Sequence, residues 1–145
     1  MSGYSDKARR AMNFVDFRRD GKDEIFHFED RGPVVSVIDL DAKAVENDKS
    51  RKVLWTGSYL QGSAANIPRG GEIPLESYPD GDIMMLVVRG EGVLESGKDS
   101  FLISSGYGIF VGSGKNYSIK NTGRWDMKLI CVSAPPRYGR GSEKL

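Results

Sequence analysis

Imidazoles and thiols are nearly missing from this chain, which has one histidine, His27, and one cysteine, Cys131, in 145 residues. A single thiol excludes an intrachain disulfide, and a single imidazole excludes a metal centre built from several histidines. A nucleophilic cysteine needs an activating imidazole or cation. His27 is far off in sequence and sits in Ile25-Phe26-His27-Phe28, where alternation with aromatics predicts a strand. Cys131 has apolar neighbours in Leu129-Ile130-Cys131-Val132, which predicts a buried strand thiol.

An excess of charge is lacking as well. Lys and Arg number 21 against 20 for Asp and Glu, so a net charge of +1 gives no global field for drawing in nucleic acid or an anionic membrane, and neither is expected as a partner. No run of about eighteen apolar residues occurs. Met1 to Arg10 is polar where a secretory signal would be apolar, so a cytoplasmic location is expected. The small basic clusters Arg9-Arg10, Arg18-Arg19, Lys49 to Lys52 and Arg137 to Arg140 have acidic residues close to most of them and read as solvated surface. Gly112-Ser113-Gly114-Lys115 lacks the full phosphate-loop spacing and its strand-to-helix setting, and reads as a turn.

What the chain does have is turn chemistry. Eighteen glycines, six prolines and short apolar runs predict an all-β domain, since glycine supplies the positive backbone angles of tight strand connections. Strands are expected at Phe14 to Phe17, Ile25 to Phe28, Val34 to Ile38, Lys52 to Thr56, Ser58 to Ile67 with a bend near Gly62, Ile83 to Arg89, Val93 to Ser96, Phe101 to Ile103, Tyr107 to Val111, Asn116 to Ile119 and Trp125 to Ser133. The first two flank Asp20-Gly21, a hairpin signal. Ile83 to Arg89 is almost wholly apolar and is expected to be buried on both faces. Ala42 to Asp48 holds the helix formers. Residues 1–50 are expected to form an amino-terminal extension, with a hairpin and a strand packing on a barrel of residues 51–136; 137–145 reads as a polar tail.

Within the barrel region a spaced pattern stands out. Gly70, Gly90, Gly106, Gly114 and Asn121 keep the spacings Gly-x5-slot-x-slot-x4-slot-x6-Gly and Gly-x7-Gly-x2-slot-x3-Asn. In that order, with Leu54-Trp55-Thr56-Gly57, Ile109-Phe110-Val111, Asn121-Thr122-Gly123 and Ala134-Pro135-Pro136, the chain resembles the cupin superfamily, and more closely a group of small single-domain bacterial cupins. The resemblance covers about Val53 to Pro136 and implies a jelly-roll or double-stranded β-helix barrel, to which the residues before it would add the amino-terminal hairpin extension. Its metal-binding members place imidazoles and a carboxylate or amide in the four slots. Here those slots hold Glu76, Tyr78, Ile83 and Tyr117, of which only Glu76 is a good ligand at neutral pH. The expectation is therefore a barrel with no metal and no cofactor.

Strand alternation sets Met85 on the face of Ile83, and Asn121 on that of Tyr117. Gln61, Glu76, Tyr78, Ile83, Met85, Tyr117 and Asn121 are thus the candidates for lining a ligand cavity, with phenols offering ring faces and Gln61, Glu76 or Asn121 fixing a polar end. The opposite outcome, aromatics filling a closed core, stays open. The function expected is metal-independent binding of a small organic molecule or a protein partner in a non-catalytic or regulatory role. The alternative is an isomerase or epimerase with Glu76 and Tyr78 or Tyr117 as base and acid. A purely structural subunit is the third. The aromatic hairpin, Phe14, Phe17, Phe26 and Phe28, predicts a homodimer.

Overall fold

The computed structural model describes residues 26–30 and 32–139 of the protein. Among them, β1 (Phe26–Phe28) is followed by α1 (Leu40–Glu46), β2 (Arg51–Thr56), β3 (Gln61–Ile67), β4 (Glu72–Glu76), β5 (Asp82–Arg89), β6 (Glu91–Ser96), β7 (Asp99–Ser104), β8 (Gly108–Val111), β9 (Tyr117–Asn121) and β10 (Met127–Ala134). These strands form a six-stranded sheet in the order β1-β2-β3-β10-β5-β8 and a four-stranded sheet in the order β4-β9-β6-β7. Every pairing is antiparallel except β1 with β2. The all-β domain expected from the turn pattern, in the jelly-roll form that the resemblance implies, is the fold observed.

Alternate residues of both sheets meet in one interior. Ala65 and Ile67 of β3, Ile83, Met85 and Val87 of β5, and Met127 and Leu129 of β10 face Ile73 of β4, Leu94 of β6 and Tyr117 and Ile119 of β9. Each large apolar side chain so buried contributes roughly 1.5–3 kcal/mol. A second, smaller core lies on the outer face of the large sheet. There α1 lays Ala44 over Leu54, Ala64 and Ile130, joined by Ile38 and Val88. The helix starts where Asp39 accepts a hydrogen bond from the Ala42 amide at 3.1 Å, a side-chain N-cap.

Two β-bulges decide which side chains point inward. On β2, Val53 pairs with Ser63 but Trp55 with Gly62, so Leu54 is an extra residue. Arg51 and Val53 face the interior before the bulge and Thr56 faces it after, a change of parity that strict alternation forbids. On β4, Ile73 pairs with Ile119 and Glu76 with Tyr117, which sets two residues, Pro74 and Leu75, opposite one, Ser118. The extra residue falls at Pro74-Leu75, where proline has no N–H to lose from the ladder. Without that bulge Leu75, now 68 % exposed, would take the inward place of Glu76.

Several expectations need correction. Val34 to Ile38 is β-branched but not a strand: Val35 and Val37 are almost fully exposed, and the segment is tied down by the Trp55 indole N–H donating to the Val34 carbonyl at 2.8 Å. The long strand expected from Ser58 begins only at Gln61, because Gly57 N–H bonds the Leu60 carbonyl and closes a turn. β5 is not buried on both faces, since the helix covers Val88 but leaves Leu86 37 % exposed. Its apolar outer row belongs to a partly covered sheet. Of the expected hairpin, Phe14 to Phe17 lies outside the described residues, while β1 pairs in parallel with β2.

Candidate functional site

Glu76, turned inward by the bulge on β4, meets three partners from three parts of the chain. Arg51 reaches across from β2 on the opposite sheet and donates from Nη2 to Glu76 Oε2 at 3.2 Å. Arg137, beyond the end of β10, forms an ion pair with the same oxygen at 2.9 Å. The Tyr117 hydroxyl, directly across the β4–β9 ladder, also donates to it. Arg137 additionally donates to the Tyr117 oxygen at 3.3 Å. Burial, and then the hydrogen bond to Glu76, push the Tyr117 phenol well above the usual range, so it is a proton donor here and not a base.

Residues 135–138 cross the end of the barrel and are pinned from below. Gln61, 1 % exposed, accepts at Oε1 from the amides of Arg137 and Tyr138, at 3.1 and 2.9 Å. Its Nε2 donates to the Tyr138 carbonyl at 2.9 Å and to Thr56 Oγ1 at 3.0 Å. Thr56 passes the chain on by donating to Asp30. The Tyr78 hydroxyl donates to the carbonyls of Pro135 and Pro136 at 2.7 and 3.0 Å. The Arg137 guanidinium then lies over the rings of Tyr78 and Tyr138, 5.7 and 5.3 Å from their centroids, and Arg51 lies 5.9 Å from that of Tyr138. Cation–π contacts of this kind contribute on the order of 1 kcal/mol each.

Five of the seven residues singled out from the sequence gather at this end: Gln61, Glu76, Tyr78, Tyr117 and Ile83, which pairs with Ser133 beside Gln61. Met85 lies one step deeper on β5, in the apolar core. Asn121 does not join them. At the other end of β9 its Nδ2 donates to the carbonyls of Ile67 and Trp125, at 2.9 and 2.8 Å, while its Oδ1 accepts from Gly123 N–H at 2.9 Å. Every polar atom of that amide is used to close a loop.

Arg51 and Arg137 were missed. Both sit in basic clusters that read as solvated surface, and Arg137 opens the segment read as a polar tail, yet Arg51 is 7 % exposed and the Arg137 side chain 14 %. The signal for Arg51 was its place two residues before Val53, on the same face of the strand. No comparable signal marks Arg137, whose position depends on the Gln61 amide. Cys131 is a buried strand thiol, as its neighbours implied, and burial pushes it up, away from thiolate character.

The donor set does not suit a divalent cation. Two guanidiniums stand on the one carboxylate, the two phenols have their hydroxyls donating to other oxygens, and the fourth slot is the aliphatic Ile83. Among the described residues no group of three or more His, Cys, Asp or Glu comes together.

No family model matches the chain. It is 26 % identical over 134 residues to the uncharacterized protein YrkC of Bacillus subtilis (strain 168), a match covering 88 % of this chain and 72 % of that one. The crystal structure of BH2720 from Bacillus halodurans superimposes with a TM-score of 0.75 at 29 % identity, covering 78 % of this chain and 90 % of the other. An RmlC-like cupin from Shewanella frigidimarina is similar with a TM-score of 0.56 at 18 % identity, covering 63 % and 83 %. The architecture is the double-stranded β-helix, and the chain has the fold of the cupin superfamily. That fold hosts unlike activities, so function rests on the cluster around Glu76.

Proposed function

We propose that this protein is a metal-independent cupin that binds a small organic ligand at the end of the barrel where Glu76, Tyr78 and Tyr117 meet, in a non-catalytic or regulatory role. One observation carries the reading: Arg51, Arg137 and Tyr117 converge on a single oxygen of Glu76, where relatives with a metal would present a ligand to it. That oxygen is already occupied by Arg51, Arg137 and Tyr117, which counts against a substrate proton reaching it in the acid–base alternative. Two fixed positive charges beside it repel a cation. Around the cluster, the rings of Tyr78 and Tyr138 and the side chains of Ile83 and Met85 provide apolar contact for an organic body.

Thermal unfolding of the full chain with excess zinc or manganese tests the metal half of this reading. An unchanged midpoint is expected, and a rise of several degrees would overturn it. Native mass spectrometry of protein purified without an affinity tag tests the ligand half, through a stoichiometric co-purifying mass. We also propose a homodimer, supported by the apolar outer row of Met84, Leu86 and Phe110 on β5 and β8, with Phe110 80 % exposed. Sedimentation at tens of micromolar giving only 16.0 kDa particles would remove it.

A further inference from the structure

The charges around Glu76 do not balance. Arg51 and Arg137 are both largely buried, and both turn to the same carboxylate. The other titratable groups beside Arg51, namely Tyr138, Cys131 and Tyr117, are neutral at physiological pH, because burial raises each of them. Asp30 uses its carboxylate on the Thr56 hydroxyl and on Gly32 N–H. Asp80, whose field reaches Tyr78, is exposed and screened by solvent. Among the described residues the cluster therefore holds two cations and one anion. Cation–π contacts supply partial negative potential, not a counter-charge, and a buried cation without one is strongly disfavoured.

From this imbalance we infer that the ligand is a small monocarboxylate with an apolar body. The guanidinium forks of Arg51 and Arg137 would take the carboxylate, and the rings of Tyr78 and Tyr138 with Ile83 the body. The inference rests on the ligand-binding reading above and adds the ligand's chemical class. Carboxylate suits the planar guanidinium, which donates two parallel N–H bonds to it. Its single charge also matches the single unmatched cation, whereas a phosphate dianion would overshoot and a neutral molecule would leave the cation as it is.

The test is a titration of the full chain with benzoate and with benzamide, its uncharged counterpart, read at the arginine Nε–Hε NMR signals of Arg51 and Arg137. Benzoate should move both signals saturably, and benzamide should bind at least about tenfold more weakly, the difference expected for charge-assisted hydrogen bonds. Arg137→Gln should weaken benzoate by a similar factor while the rest of the spectrum stays folded. Should that variant unfold, Arg137→Lys, which keeps the charge and loses the fork, should bind benzoate more weakly than wild type. If benzoate, phenylacetate and pyruvate all leave both signals unmoved, or if benzamide binds as well as benzoate, the anion inference is overturned. Native mass spectrometry separates the two levels: a neutral metabolite bound one to one sinks only the anion, whereas an empty protein with unmoved signals sinks the ligand-binding reading too.

Discussion

Strand β9 has one polar commitment at each end, and the two differ in kind. At its start, Tyr117 belongs to a charged cluster assembled from β2, β4 and the chain beyond β10, with two guanidiniums on one carboxylate. At its finish, Asn121 is neutral and fully satisfied by three backbone groups. The backbone there is also tight: a Cβ on Gly92, which pairs with Asn121, would come within 2.2 Å of the Lys120 carbonyl oxygen. A neutral, saturated amide closes a fold and leaves nothing for a ligand. An unbalanced ion cluster costs stability by itself, and such sites are where a binding partner supplies what the fold lacks.

Glu76→Gln should give the largest effect, because it removes the one counter-charge from two buried guanidiniums. A loss of about 3 kcal/mol is expected by urea unfolding, and a loss no greater than that of Asn121→Ala would erase the contrast between the ends. Asn121→Ala should cost about 2 kcal/mol by leaving buried backbone groups unsatisfied. That loss should be the same in low and high salt, while the Glu76 variant should respond to salt. The cluster end should also fail first in alkali. Tyr117, Tyr138 and Cys131 all have folded pKa values raised by burial, so their stabilising contribution is full below the ordinary values of 9.0 for the thiol and 10.0 for the phenols. It is lost as pH rises beyond them, at about 1.4 kcal/mol per pH unit for each group titrating in the unfolded chain. Tyr117→Phe should flatten that slope; an unchanged slope would take Tyr117 out of the account.

Tyr78→Phe, which strips the hydroxyl from the carbonyls of Pro135 and Pro136, should cost about 1 kcal/mol. Faster amide exchange confined to residues 137–138 would locate the loss in the segment crossing the barrel end. Arg137→Gln should be the mildest, a net change within about 1 kcal/mol of zero, because losing its ion pair and ring contacts is offset by removing the surplus cation and leaving a balanced Arg51–Glu76 pair.

Much of the fold was legible because period-two alternation and glycine-marked turns are local signals. Ile83 to Arg89, Tyr107 to Val111 and Trp125 to Ser133 each became a strand within about two residues of the expected bounds. The failure at Val34 to Ile38 shows the limit, since β-branched residues make a strand only where a neighbouring edge is free to pair. At the site, the spacing from Gly70 brought Glu76 and Tyr117 together, and the same pattern misjudged Asn121, which shares their strand face but lies a strand's length away. Arg51 and Arg137 were hidden because composition cannot tell a buried guanidinium from a solvated one. Their burial follows from contacts across 25 residues to Glu76 and 76 residues to Gln61, which no window of sequence contains.

The extra residue Leu54 lets one strand answer to two separate needs. An evenly alternating β2 could offer the interior either the guanidinium at its start or the hydroxyl at its finish. With one residue to spare it offers both, while Leu54 and Trp55 turn together toward the helix side. Deleting that residue would not merely shorten the strand. It would flip the allegiance of everything on one side of the gap, disconnecting the Thr56–Gln61 relay that holds Arg137 in place from the Arg51 that shares its carboxylate.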